Sequence, residues 1–109
     1  MSNEKIMQFQ QLRQQLQQVI SQEEQLNMQM METSKALEEL KTAKDEVYKI
    51  AGTILIKSDK AKVESGLKDQ KEEAEVKIRT LQKHEKTLKD KLQSLQAELM
   101  KNMPKGKAE

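Results

Sequence analysis

Along the first forty residues, positions spaced by alternating steps of three and four form one series: Phe9, Leu12, Leu16, Val19, Glu23, Leu26, Met30, Thr33, Leu37 and Leu40. All but Glu23 and Thr33 are apolar, so the series is a heptad seam and predicts a helix over about 3–44, with Ser2 or Asn3 as its cap. A second seam runs through Leu67, Lys71, Ala74, Ile78, Leu81, Glu85, Leu88, Leu92, Leu95 and Leu99. It predicts a helix over about 59–102, opened by Ser58 or Asp59 and stopped by Pro104 and Gly106, with 103–109 as a disordered tail. Glu23 and Glu85 are charged intruders at nearly the same height. A charge in such a slot either fixes register or leans outward to a neighbour such as Lys83 or Lys86. The reading here is register with local softness, and leucine at either position is expected to stabilise the pair. Lys44 and Lys71 occupy seam slots nearer the middle of the chain.

Between the helices the period changes. Tyr48 and Ile50 alternate with Lys49, Ala51-Gly52-Thr53 is a turn signal, and Ile54, Leu55 and Ile56 are consecutive. This predicts a β-hairpin over about 47–57. Two seams of equal length on either side of a hairpin fold back as an antiparallel two-helix coiled coil, pairing positions whose numbers add to about 105. Each helix of roughly forty residues would be about 60 Å long. The hairpin poses a difficulty of its own. Two strands alone are marginal in water, and apolar side chains on both faces exceed what one small chain can cover. The hairpin is therefore expected to pair with strands of other chains, which makes this protein part of an assembly.

Composition agrees with an elongated helical chain. Of 109 residues, 35% are hydrophobic and 35% charged, with one Phe, one Tyr and no Trp, which is poor material for a globular core. Ten glutamines between Gln8 and Gln29 make the first helix polar without much charge, and apolar residues at helical spacing argue against a prion-like reading. A net charge of +2 with Lys and Glu interleaved reads as a solvated helix surface, so no nucleic acid is expected as partner. No segment is long and apolar enough to span a membrane, and the N-terminus lacks the apolar run of a secretory signal, so a cytoplasmic protein is expected.

Chemistry-bearing residues are sparse. There is no cysteine, His84 is the only histidine, and neither a phosphate-binding glycine loop nor metal-ligand spacing occurs. The reading is of a non-enzyme with no catalytic residue, no metal and no cofactor. The methionines carry more information. Met30 belongs to the seam, and Met28 and Met31 are expected to pack beside it. Ile6, Met7 and Phe9 on one helix meet Leu99, Met100 and Met103 on the other, where the coil runs out. That is more apolar surface than a two-helix seam buries, and it suits either sealing of the coil end or an adaptable surface for many partners.

The segment Val47-Tyr48-Lys49-Ile50-Ala51-Gly52-Thr53-Ile54-Leu55-Ile56-Lys57, with Ser58-Asp59 opening a helix, resembles the prefoldins, and within them the beta type of the archaeal kind. The likeness covers essentially all of 1–109 as a single prefoldin-like unit. A single central hairpin matches the beta type, since alpha-type subunits carry two. The resemblance implies a mainly α fold whose hairpin, through Tyr48, Ile50, Ile54, Leu55 and Ile56, joins an intersubunit β-barrel. It implies a hetero-hexamer of two alpha-type and four beta-type subunits that binds unfolded clients without ATP and passes them to a group II chaperonin. Geometry then assigns client binding to Ile6, Met7, Phe9, Leu99, Met100 and Met103, and a chaperonin contact to Lys101, Lys105 and Lys107. The competing reading is a structural coiled-coil spacer or adaptor that docks one defined partner.

Overall fold

Every position of the two series Phe9 to Leu40 and Leu67 to Leu99 is buried or half-buried, whereas nearly all the remaining helical positions are exposed. The stripe of steps of three and four is thus the burial pattern of two helices, α1 (Ser2–Thr42) and α2 (Lys60–Lys101). Strands β1 (Glu46–Ala51) and β2 (Ile54–Asp59) form an antiparallel two-stranded sheet between them. The structure, a computed structural model, describes residues 2–44 and 46–101. Met103, Lys105 and Lys107 lie outside the described residues, as does the proposed tail.

The chain divides into two compact units. One comprises Met1–Glu24 with Arg79–Glu109, the other Gln25–Ile78. In the first, the beginning of α1 lies antiparallel to the end of α2, and Lys5 reaches Glu98 across the pair at 2.6 Å. Among the described residues its buried side chains are Val19, Leu88 and Leu95, and Leu88 is the most enclosed at 2% exposure. The second unit holds the hairpin, with Leu40, Val47, Ala74 and Ile78 buried. The core is thus a single layer of side chains between two helices, in keeping with the low aromatic content.

The hairpin register follows from its turn. At each rung, from Glu46 opposite Asp59 to Ala51 opposite Ile54, the residue numbers add to 105. Gly52 has φ 64°, and no other described residue has positive φ. A two-residue turn with positive φ only at its first central position has the pattern of type II′, whose twist matches that of the strands and which favours glycine there. Lys57 pairs with Glu46 at 3.2 Å on the diagonal, offsetting the like charges of Glu46 and Asp59 directly opposite each other.

The helix ends next to the hairpin are closed by side chains. The amide of Ala43 donates to the Leu40 carbonyl, and Thr42 Oγ1 donates to the Glu39 carbonyl, tightening the last turn of α1. Lys60 Nζ donates to the Ala43 carbonyl at 2.9 Å, tying the start of α2 to the end of α1. Asp59 is the cap of α2, its carboxylate accepting from the Ala61 amide. With α1 closed at Thr42, Lys44 falls beyond the helix and is exposed, so it does not occupy a seam slot. Met28 and Met31 also depart from expectation. They project from α1 away from the seam, at 66% and 69% exposure, because only Met30 of the trio falls on the stripe.

Candidate functional site

Strand alternation sorts the hairpin side chains onto two faces. Tyr48 and Ile50 share one face with Leu55, while Ile54 and Ile56 lie on the other with Ala51. All five candidate residues are exposed, from 45% for Ile56 to 72% for Ile50. Val47 alone among the large apolar side chains of the sheet is buried. Among the described residues no further strand pairs with either edge. A two-stranded ribbon with exposed apolar side chains on both faces and, among the described residues, no further strand at either edge is a template for strands from elsewhere.

A second apolar surface lies where α1 begins and α2 ends. Ile6, Met7 and Met100 are exposed there, the two methionines at 61% and 64%, while Phe9 and Leu99 are half-buried. Phe9 and Leu99 continue the seam, and Ile6, Met7 and Met100 form its uncovered margin. Of the three lysines assigned to a chaperonin contact, only Lys101 is described, and it is exposed.

Known proteins with this arrangement decide the family. The family model described as Prefoldin subunit matches residues 3–105. This chain belongs to the prefoldin subunit family. It is similar to prefoldin subunit beta of Saccharolobus islandicus, 40% identical over 99 residues that cover 89% of this chain and 79% of that protein. Against prefoldin subunit beta of Archaeoglobus fulgidus the identity is 43% over 96 residues, covering 86% and 83%. The crystal structure of the prefoldin beta subunit from Thermococcus strain KS-1 superposes with a TM-score of 0.81 at 34% identity, over 92% of this chain and 91% of that one. The beta2 subunit of the same strain shares the fold, with a TM-score of 0.73 at 19% identity over 82% and 97%. The resemblance to beta-type prefoldin read from the sequence therefore holds, as does the mainly α fold with one hairpin.

Prefoldins are chaperone subunits, so the residues of interest in this member are those that present surface. His84 is exposed on α2. Among the described residues no three acidic or histidine side chains gather as a metal site, and no helix is long and apolar enough to cross a membrane.

An unusual polar contact lies in the first unit, where Glu23 of α1 faces Glu85 of α2. Glu23 Oε2 is buried without a hydrogen-bond partner. Glu85 is held by Lys89 at 2.7 Å, rather than by Lys83 or Lys86. Lys86 turns instead toward Asp90. Two ionised carboxylates offer each other only acceptors, but a protonated Glu23 donates to Glu85. Desolvation first, then that hydrogen bond and the charge of Glu85, raise the Glu23 pKa above its ordinary 4.5, against a smaller opposing pull from Lys89. Glu85 is lowered, chiefly by its bond to Lys89 and then by Glu23, and Glu98 is lowered by Lys5.

A carboxyl group whose folded pKa is raised loses stability as pH rises through that value, and regains it on acidification. The lowered Glu85 and Glu98 act oppositely, contributing above 4.5 and losing that contribution as pH falls through their folded values. Thermal stability should therefore rise as pH is lowered through the raised Glu23 value to 4.5, then decline below 4.5 as Glu85 and Glu98 take up protons. Glu23→Gln supplies a donor to Glu85 at every pH, so it should raise the melting temperature at pH 7 and abolish the acid-side increase. Circular-dichroism melts between pH 4 and 8 test this, and a lower melting temperature for Glu23→Gln at pH 7 would refute it. The structure also separates the two glutamates. Leucine at 23 should still stabilise, whereas leucine at 85 removes a side chain that Lys89 already satisfies.

Proposed function

We propose that this prefoldin chain is an ATP-independent co-chaperone subunit that holds unfolded polypeptides at the ends of its helices and delivers them to a group II chaperonin. The observation that carries this reading is the uncovered apolar margin of Ile6, Met7 and Met100, beside half-buried Phe9 and Leu99. An unfolded client exposes scattered apolar side chains, so its capture needs a wet and adaptable apolar surface without a fixed shape. Methionine supplies that adaptability. Single contacts of this kind are weak, and several helix pairs acting on one client multiply them.

The hairpin would gather those helix pairs into one particle. Tyr48, Ile50, Ile54, Leu55 and Ile56 are assigned to a β-barrel shared with alpha-type subunits, in a hetero-hexamer of two alpha and four beta chains. Two exposed faces on one ribbon support that assignment, since a barrel wall needs apolar side chains inside and neighbours at each edge. Lys101, with Lys105 and Lys107, is assigned to the chaperonin contact, as positive charge suited to an acidic rim. The particle is placed in the cytoplasm, without nucleic acid or membrane as partner and without a cofactor.

Removal of residues 1–9 and 100–109 tests the capture surface. The trimmed protein, mixed with an alpha-type subunit, should keep its native mass and most of its helicity. It should also suppress aggregation of chemically unfolded clients much less well, as read by light scattering. Full suppression by the trimmed protein would move capture inward along the helices or to the hairpins. Suppression confined to one client among several unrelated ones would favour the adaptor reading.

A further inference from the structure

Four of the five described methionines stand out from the helices: Met7, Met28, Met31 and Met100 are each more than 60% exposed, and only Met30 is half-buried. Methionine ordinarily lies inside proteins, so this placement sets the residue in contact with solutes as well as with partners. The chain has no cysteine. A hydroperoxide that reaches this surface therefore meets thioethers and no thiolate to intercept it.

We propose that Met7 and Met100 are oxidation sites through which hydroperoxides switch off client capture, an inference that rests on the capture surface proposed above. A thioether sulfur attacks one peroxide oxygen, the O–O bond breaks and an S–O bond forms. The sulfur loses two electrons, and with hydrogen peroxide the other oxygen leaves as water once it has taken up the remaining proton. The product, methionine sulfoxide, is a polar side chain with a strong acceptor. Pressed against an apolar client, that acceptor loses its water and gains no donor, so the contact turns unfavourable. Met7 and Met100 flank the seam rather than fill it, so the helices themselves should tolerate the change. Sulfoxide reductases for the two epimers reverse the reaction.

The test compares the full-length protein, in its native oligomer, before and after graded hydrogen peroxide. Peptide mass spectrometry should find sulfoxide at Met7, Met28, Met31 and Met100 before Met30, with unchanged far-ultraviolet dichroism. Aggregation suppression should fall several-fold as Met7 and Met100 are converted, and return after treatment with both reductases. Each variant is scored as treated over untreated activity. Met28→Leu with Met31→Leu should capture normally untreated and remain peroxide-sensitive, while Met7→Leu with Met100→Leu should lose the sensitivity. Retained capture with Met7 and Met100 fully converted would overturn the inference, as would a loss that follows sulfoxide at any other methionine. An untreated protein that suppresses no aggregation would remove the capture reading itself, and this inference with it.

Discussion

Ile54→Lys and Ile56→Lys should each abolish the hetero-oligomer while leaving the helices largely formed. Both side chains lie on the hairpin face that also carries Ala51, and both are exposed in the single chain. In the isolated chain a lysine there remains in water and disturbs little. In a barrel it would either lose its hydration or push a neighbouring strand away. Fully burying one isoleucine is worth roughly 1.5–3 kcal/mol, and every subunit carrying the substitution would forfeit that gain and add a desolvated charge. Native mass after mixing with an alpha-type subunit, measured beside far-ultraviolet dichroism, reads both effects. An unchanged mass for either variant would remove that face from the assembly. Ile50→Lys applies the same test to the opposite face, on which Tyr48 and Leu55 also lie. If the ribbon forms a closed barrel wall, the face turned inward should be the less tolerant of the two.

Much of this was legible in the chain because heptad spacing and burial are nearly the same information when two helices share one seam. Phe9 to Leu40 and Leu67 to Leu99 could be assigned position by position, since each helix has one partner and therefore one buried stripe. The hairpin was legible through Gly52 and the alternation before it. Individual partners were harder to read. Lys83 and Lys86 lie two and one positions from Glu85, on other sides of the helix, whereas Lys89 lies one turn on and on the same side. The i to i+4 relation, with glutamate on the N-terminal side, was the available signal for Lys89. Lys44 fits the heptad spacing but lies off the seam, because hydrogen bonds close the helix at Thr42 before the heptad reaches it. Met28 and Met31 are apolar but fall off the stripe by angular position, and angular position decides their exposure. Val47, the buried residue of the sheet, belongs to neither seam, and no period in the sequence marks it.

Leu88→Ala should be among the costliest single truncations in the helices. Leu88 is 2% exposed, the most enclosed of the buried apolar side chains, in a core one side chain thick. Truncating a buried leucine removes its transfer free energy and leaves a cavity, together about 2–5 kcal/mol. A two-helix core has no further layer that can move in to refill the gap, which places Leu88 toward the upper part of that range. Leu81, on the same stripe one heptad earlier, is only half-buried. Its replacement by alanine should cost less, since water already contacts part of the side chain and can fill the space. The comparison isolates burial, as both substitutions exchange the same residues in the same helix at positions a heptad apart. Urea unfolding of the two variants, followed by dichroism, should show the larger midpoint shift for Leu88→Ala at a similar slope. Equal shifts would mean that exposure in the folded chain does not rank the seam.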